Sequence, residues 1–337
     1  MVQRCVQVHL GAGIGNIVLA TPLLVALHEC DFVTDVVLAA DYAETAELLR
    51  PWSAVREIFM STTPFPSAED YSHVIAAIPP FYWPRYTSKF ANTRNLVARP
   101  PEALFYQDEQ AYYWTFARLL GCVSERRPSC TLPITAFHPS GSAQRTLVLA
   151  PGCKTGEMAA KRWPYYVELA EAFDDVAVVG TADDLHRYDG TSIRFGPNVK
   201  MFVNKLTLRE TAELLAAADA VVANDTGLAY VSAAVGTPTL ILFGPTPHAT
   251  LGWFPSNVRV LRAGLECEPC WFSGRFQACK GQISCLEWLS VASVRNEALA
   301  LLECQSQQTL KTEAQDPAVC RHGVSHGGHG VARLAQR

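Results

Sequence analysis

Residues 220–246 read Ala220-Val221-Val222-Ala223-Asn224-Asp225-Thr226-Gly227-Leu228-Ala229-Tyr230-Val231-Ser232-Ala233-Ala234-Val235-Gly236-Thr237-Pro238-Thr239-Leu240-Ile241-Leu242-Phe243-Gly244-Pro245-Thr246. Two apolar runs of strand length, Ala220 to Ala223 and Thr239 to Phe243, flank a stretch from Leu228 to Val235 that fits a short helix stopped by Gly236. Strands without polar alternation are buried on both faces, as in a parallel sheet, and strand–helix–strand in so short a span is a βαβ unit.

The same alternation extends upstream. Thr146 to Ala150 reads as a strand, Pro164 introduces a helix from Tyr165 to Phe173, and Val176 to Val179 is a strand ending at Gly180. Thr207 and Glu210 form a capping box ahead of a helix reaching Ala217. Thr239 to Phe243 is expected to be the final strand. The first half repeats the scheme: a strand at Cys5 to Leu10, a glycine turn, one helix through Leu27, a strand at Val33 to Ala40, and a helix from Glu44 to Arg50 closed by Pro51. Further strands are expected at Val55 to Met60 and His73 to Ile78, and a helix from Asp108 to Leu120. An aromatic stretch (Phe81, Tyr82, Trp83, Tyr86) follows Pro79-Pro80 and offers either rings for stacking on sugars or a cap on the core. Prolines, Ser140 and Gly141 between Ser124 and Arg145 mark a linker. The expectation is an α/β protein of two doubly wound, Rossmann-like domains, residues 1–140 and 141–304, facing each other across a cleft. The polar, glycine-rich stretch 305–337, with His322, His326 and His329, is expected to be disordered.

Length and composition agree. The 337 residues are 49% apolar and 18% charged, which suits two globular domains and excludes disordered, collagen-like and miniprotein classes. A net charge of -4 offers no global field for nucleic acid or an anionic membrane, so nucleic acid is not favoured as a partner and any anion site must be local. The longest apolar run, Ile17 to Leu27, is too short to span a bilayer and contains Pro22, and no leader precedes it; a cytoplasmic protein is expected, with any membrane contact peripheral. Seven of the eleven cysteines are scattered. Cys267, Cys270, Cys279 and Cys285 are clustered, and four thiolates at this range suit a closed tetrahedral shell on zinc or iron, hence a structural metal.

Three further segments carry chemistry. Gly11-Ala12-Gly13-Ile14-Gly15-Asn16 joins a strand to a helix, where backbone amides can approach an anionic or sugar ligand. Its spacing departs from the dinucleotide fingerprint, and Asp31, Asp35 and Asp41 supply no unambiguous ribose-binding acid; tight strand–helix packing is the competing reading. Asn224-Asp225-Thr226-Gly227 lies at a carboxyl sheet edge, where a helix start suits a diphosphate, although Asp and Thr also cap ordinary helices. Lys161-Arg162-Trp163-Pro164, with Lys154 on the same loop, offers local positive charge beside a strand end, or else a solvated loop with Trp163 as a packing plug.

Together these segments resemble glycosyltransferase family 9, the bacterial heptosyltransferase family, over residues 5 to 303. The resemblance rests on Gly15 to Leu24, on Pro151-Gly152 with Lys161 to Pro164, and on Asn224 to Pro238 with Leu242 to Thr246. It implies a GT-B fold and metal-independent, inverting transfer from an NDP-sugar, ADP-heptose in the best-known members, to a glycan, lipid-linked or protein acceptor lying on the N-terminal domain. By resemblance, Asn16, Lys161 and Asp225 stand at the catalytic positions. Lys161 meets the donor phosphate; Asp225, Thr226 and Gly227 hold the diphosphate and sugar; Asp183 reaches the nucleoside; Gly15, Tyr230, Gly244 and Thr246 complete the donor site. Many members carry a similar cysteine cluster, and in the bacterial autotransporter heptosyltransferases it holds iron.

Two departures stand out. Asn16 occupies the place of the catalytic Asp, and a carboxamide cannot accept a proton. Asp41 and Asp108 are the candidate bases on the acceptor side. Tyr230 stands where the family has His, which bears on the identity of the sugar. A sugar-nucleotide-binding protein without turnover and a nicotinamide-dependent oxidoreductase using the glycine turn are the alternatives.

Overall fold

The computed structural model describes residues 4–11, 13–38, 43–122, 125–135, 145–153, 160–251, 256–271 and 285–315, with side chains omitted at 250–251 and 304–315. Its first half holds β1 (Arg4–Leu10), α1 (Ile14–Leu19), α2 (Thr21–Glu29), β2 (Phe32–Leu38), α3 (Thr45–Leu48), β3 (Glu57–Met60), β4 (His73–Ala77), α4 (Trp83–Phe90), α5 (Glu102–Gln107) and α6 (Glu109–Leu119). The second holds β5 (Leu147–Ala150), α7 (Tyr166–Ala170), β6 (Val176–Val178), β7 (Lys200–Met201), α8 (Leu208–Ala217), β8 (Ala220–Asn224), α9 (Gly227–Ala234), β9 (Thr239–Phe243), β10 (Val258–Arg262) and α10 (Val291–Gln315).

Each half has its own sheet, in the orders β3-β2-β1-β4 and β10-β9-β8-β5-β6-β7. Every strand pair is parallel. Central strands are sealed on both faces: Val6 and Val8 of β1 and all of β8 from Ala220 to Asn224 are buried. This is the burial that the unbroken apolar runs imply, and at roughly 1.5–3 kcal/mol per fully buried aliphatic side chain it dominates the stability of each sheet.

Three expectations are corrected. The first helix is two, because the Thr21 hydroxyl donates to the Val18 carbonyl (2.7 Å) and Pro22 begins a new helix at its first turn. Thr239–Phe243 is not the last strand. β10 pairs outside it, and two-residue β7 closes the opposite edge; both edges are half-buried or exposed and lack the sealed apolar pattern of the centre. Finally, α10 continues to Gln315, so the start of the stretch expected to be disordered is helical; 316–337 lie outside the described residues. No helix among the described residues is long and apolar enough to cross a membrane.

The halves meet through α1 and α9, near the starts of both helices. A Cβ on Gly15 would lie 2.8 Å from the Tyr230 ring, and one on Gly227 would lie 2.8 Å from the Ile14 Cβ. Both glycines are therefore required for the two helix starts to pack this closely.

Candidate active site

Asp225, immediately after β8, is the hub of the site. Lys161 Nζ lies 2.5 Å from its carboxylate and donates to its backbone carbonyl at 3.1 Å. The Thr246 hydroxyl, on the loop after β9, donates to Oδ2 at 2.6 Å, and the Tyr230 hydroxyl, from α9, donates to Oδ1. Burial works against the charged carboxyl, but Lys161, Thr246 and Tyr230 outweigh it and hold the pKa of Asp225 below the usual carboxylate range. Four residues assigned to the donor site from sequence thus converge. All lie at the carboxyl edge of the six-stranded sheet, where open α/β sheets receive ligands.

Asn224 fixes the loops around this hub. It is fully buried; its Oδ1 accepts from the Trp163 amide and the Tyr166 hydroxyl, both at 3.1 Å, and its Nδ2 donates to the Pro151 carbonyl at 2.6 Å. One carboxamide thereby ties the Pro151-Gly152 turn and the Lys161–Pro164 loop to the end of β8. Arg162 is turned inward, donating to the carbonyls of His186 (2.8 Å) and Cys153 (3.0 Å). The expectation that it adds to a phosphate-facing cluster is corrected: Lys161 alone faces the hub among the described residues, and Lys154 lies outside them. Trp163 is the packing plug, sealed in the core with its indole N–H on the Leu289 carbonyl (2.8 Å).

The remaining donor assignments divide. Thr226 is the N-cap residue of α9 without a side-chain capping bond, and Gly227 opens the helix. Asp183 is exposed on the turn after β6. Gly15 is filled over by Tyr230, and a Cβ on Gly244 would lie 2.8 Å from Cys285 Sγ, so Gly244 makes room for the cysteine segment.

On the other side of the α1–α9 contact stands a group that sequence reading missed. Glu109, the first residue of α6, is buried with 6% of its surface exposed, and accepts on Oε1 from Asn16 Nδ2 (2.6 Å) and from the Tyr113 hydroxyl (3.1 Å). Desolvation raises its pKa to about 7 against the stabilising hydrogen bonds from Asn16 and Tyr113, and the Asp225 charge raises it further while Lys161 lowers it. A signal was present: Glu109 lies on the helical face of Tyr113 and Phe116, an apolar stripe in which a carboxylate is out of place. Asp108, by contrast, is committed elsewhere. It caps α6 through the Ala111 amide (2.8 Å) and pairs with Arg127 (2.7 Å), so it is not a base candidate. Asp41 lies outside the described residues.

Asp35 is also occupied. Arg56 lies 2.5 Å from its carboxylate and the Tyr71 hydroxyl donates at 2.7 Å, which removes it as a ribose-binding acid. A cavity of about 380 Å³ opens at the switch point between β1 and β4, lined by Gln7, His9, Tyr86, Lys89 and Phe90 among others. His9 Nε2 lies 2.8 Å from Gln7 Oε1, and burial, helped by Lys89, lowers its pKa to about 4, so the ring is neutral. Of the aromatic stretch, Tyr86 lines this cavity, Trp83 stacks on Phe90 as a cap, and Phe81 is half exposed.

The cysteine segment is partly described. Cys270 and Cys285 are buried and Cys267 is exposed; Cys279 lies outside the described residues. Burial pushes the Cys285 thiol up to about 12, with Glu268, Cys270 and Cys267 adding to it. Among the described residues no group of three or more His, Cys, Asp or Glu side chains is arranged to hold a metal.

Comparison with known proteins agrees with this fold. The profile of glycosyltransferase family 9 (heptosyltransferase) matches residues 122–277. A curated relative, lipooligosaccharide heptosyltransferase 2 of Campylobacter jejuni, is 29% identical over 139 residues, 38% of this chain and 43% of the relative. The chain thus aligns with less than half the length of that relative. Among solved structures, the E. coli ADP-heptose lps heptosyltransferase II superposes with a TM-score of 0.66 at 18% identity, covering 90% of this chain and 99% of the other. The iron-containing dodecameric glycosyltransferase TibC from enterotoxigenic E. coli superposes with a TM-score of 0.60 at 14% identity, covering 91% and 77%. The fold is therefore GT-B, and residues 122–277 are similar to glycosyltransferase family 9, the heptosyltransferase family.

Proposed function

We propose that this protein is a glycosyltransferase that moves a sugar, heptose or a close relative, from an NDP-sugar such as ADP-heptose to a surface-glycan acceptor of lipopolysaccharide type, with inversion at the anomeric carbon. The observation that carries the reading is the convergence of Lys161, Thr246 and Tyr230 on Asp225 at the start of α9. In this reading the donor diphosphate takes Lys161 as its counter-ion, with the positive end of α9 adding to it, and charge on the departing diphosphate is stabilised by groups already in place. Residues 141–304 form the donor domain, 1–140 the acceptor domain, and the cavity beside His9 and Tyr86 receives part of the acceptor. Asp183, exposed on the turn after β6, is assigned to the nucleoside.

The cysteine segment is read as a structural site for zinc or iron. Four cysteines at this sequence spacing suit either ion, and the structural neighbour TibC is iron-containing. Cys267, Cys270, Cys279 and Cys285 would hold it, giving the loop folding energy and the reaction nothing. The protein is placed in the cytoplasm, with peripheral contact to any lipid-linked acceptor.

Nucleotide release from a panel of NDP-sugars with lipopolysaccharide-core acceptors tests the reading. Acceptor-dependent release by the wild type, lost in Lys161→Ala, supports it. Normal transfer by Lys161→Ala refutes the donor-site assignment, and tight nicotinamide dinucleotide binding without sugar transfer refutes the activity.

A further inference from the structure

The position of Asn16 leaves the proposed reaction without a proton acceptor, since a carboxamide has no basic oxygen. The structure brings a carboxylate from 93 residues further along the chain against it. We propose that Glu109 is the general base of this protein, with Asn16 as the residue that positions it. The inference rests on the transferase reading above and deepens it.

Four observations support the assignment. First, both hydrogen bonds to Glu109 fall on Oε1, and Oε2 takes none from the described residues. One oxygen is anchored and the other remains to meet a hydroxyl. Second, the donor Nδ2 of Asn16 lies 2.6 Å away, so the carboxamide holds the carboxylate as a neighbouring hydroxyl or amide would, without competing for the proton. Third, Asn16 follows Gly15, the residue on which Tyr230 packs, and Tyr230 donates to Asp225. The carboxyl therefore sits on the acceptor half, at the contact with the donor half. Fourth, two other carboxylates on that half are already engaged, Asp108 by Arg127 and Asp35 by Arg56.

The step balances without a co-reactant. The acceptor hydroxyl oxygen bonds to the anomeric carbon as its proton passes to Glu109 Oε2. The bond from that carbon to the diphosphate breaks, and its electron pair leaves on the diphosphate beside Lys161. The groups that set the ionisation of Glu109 are Asn16 from α1, Tyr113 from its own helix, and the charges of Asp225 and Lys161; Tyr230 and Cys130 also lie within its electrostatic reach.

Exchanging the two side chains tests the proposal. Glu109→Gln keeps an acceptor oxygen for Asn16 and Tyr113 but cannot take a proton. It should bind ADP-heptose as the wild type does and lose transfer by a factor on the order of 10² to 10⁴. The double variant Asn16→Asp, Glu109→Gln restores one carboxylate to the pair and should recover transfer by about tenfold or more over Glu109→Gln. The wild-type rate should fall with protonation of a group near neutrality, a limb that Glu109→Gln lacks. A buried carboxylate with a purely structural role would show neither the rescue nor the lost limb. Transfer by Glu109→Gln at the wild-type rate, or an exchange variant no faster than Glu109→Gln while both bind donor, overturns the assignment. Failure of the transferase reading is distinct: the wild type itself would then neither bind nor turn over any nucleotide sugar, and the base assignment would fall with it.

Discussion

The burial of Glu109 has a consequence for stability that needs no substrate to test. Its pKa is raised from 4.5 to about 7, chiefly by desolvation. A group raised in this way binds its proton more tightly in the folded state, so its contribution to stability is fully present below the unfolded pKa and is lost as pH rises through the folded one. Each pH unit between the two values is worth about 1.4 kcal/mol, which gives an effect on the order of 3 kcal/mol between about pH 4.5 and pH 7. Glu109→Gln removes the ionisation while its carboxamide oxygen still accepts from Asn16 and Tyr113. Urea unfolding of the wild type and the variant, at about pH 5 and about pH 8, reads the effect. The two should be similarly stable near pH 5, and the variant should be the more stable near pH 8, by up to about 3 kcal/mol. A variant destabilised equally at both pH values would refute the desolvation argument, because it would mean that folding does not raise the pKa of the carboxyl.

Gly15→Ala places a methyl 2.8 Å from the Tyr230 ring and should cost about 1–3 kcal/mol; in a Tyr230→Ala background the same change should cost little, a coupling that a double-mutant cycle in thermal unfolding measures. Lys161→Ala leaves the buried Asp225 carboxylate without its counter-ion, so besides losing donor binding it should lower stability by about 3 kcal/mol or more, and Asp225→Asn in the same chain should recover part of that loss. Elemental analysis of the purified protein should find about one equivalent of zinc plus iron, falling in Cys270→Ser; less than about half an equivalent under reducing conditions would defeat the metal reading.

The parts of this fold that were legible in the sequence are those fixed by local physics. Sealed strands such as Ala220–Asn224 announce themselves as unbroken apolar runs, and the Thr207–Glu210 capping box marks the start of α8. Edges were not legible. β7 is two residues long and β10 is half-buried, so neither carries the pattern of a central strand. The cluster around Asp225 was legible because its residues flank strand ends, with Asp225 and Thr246 close together in the sequence. What escaped is what depends on distant pairing. Nothing local shows that Glu109 meets Asn16, that Arg162 turns inward to His186 and Cys153, or that one carboxamide at Asn224 ties two loop segments to the end of β8.

Donor and proposed base belong on the two sides of the α1–α9 contact, and a structure of the protein with intact ADP-heptose tests this most directly. The expected result is a diphosphate beside Lys161 at the start of α9, with the anomeric carbon turned toward Glu109 Oε2. A nucleotide seated instead on the Gly11–Gly15 turn, or an anomeric carbon turned away from Glu109, would contradict it.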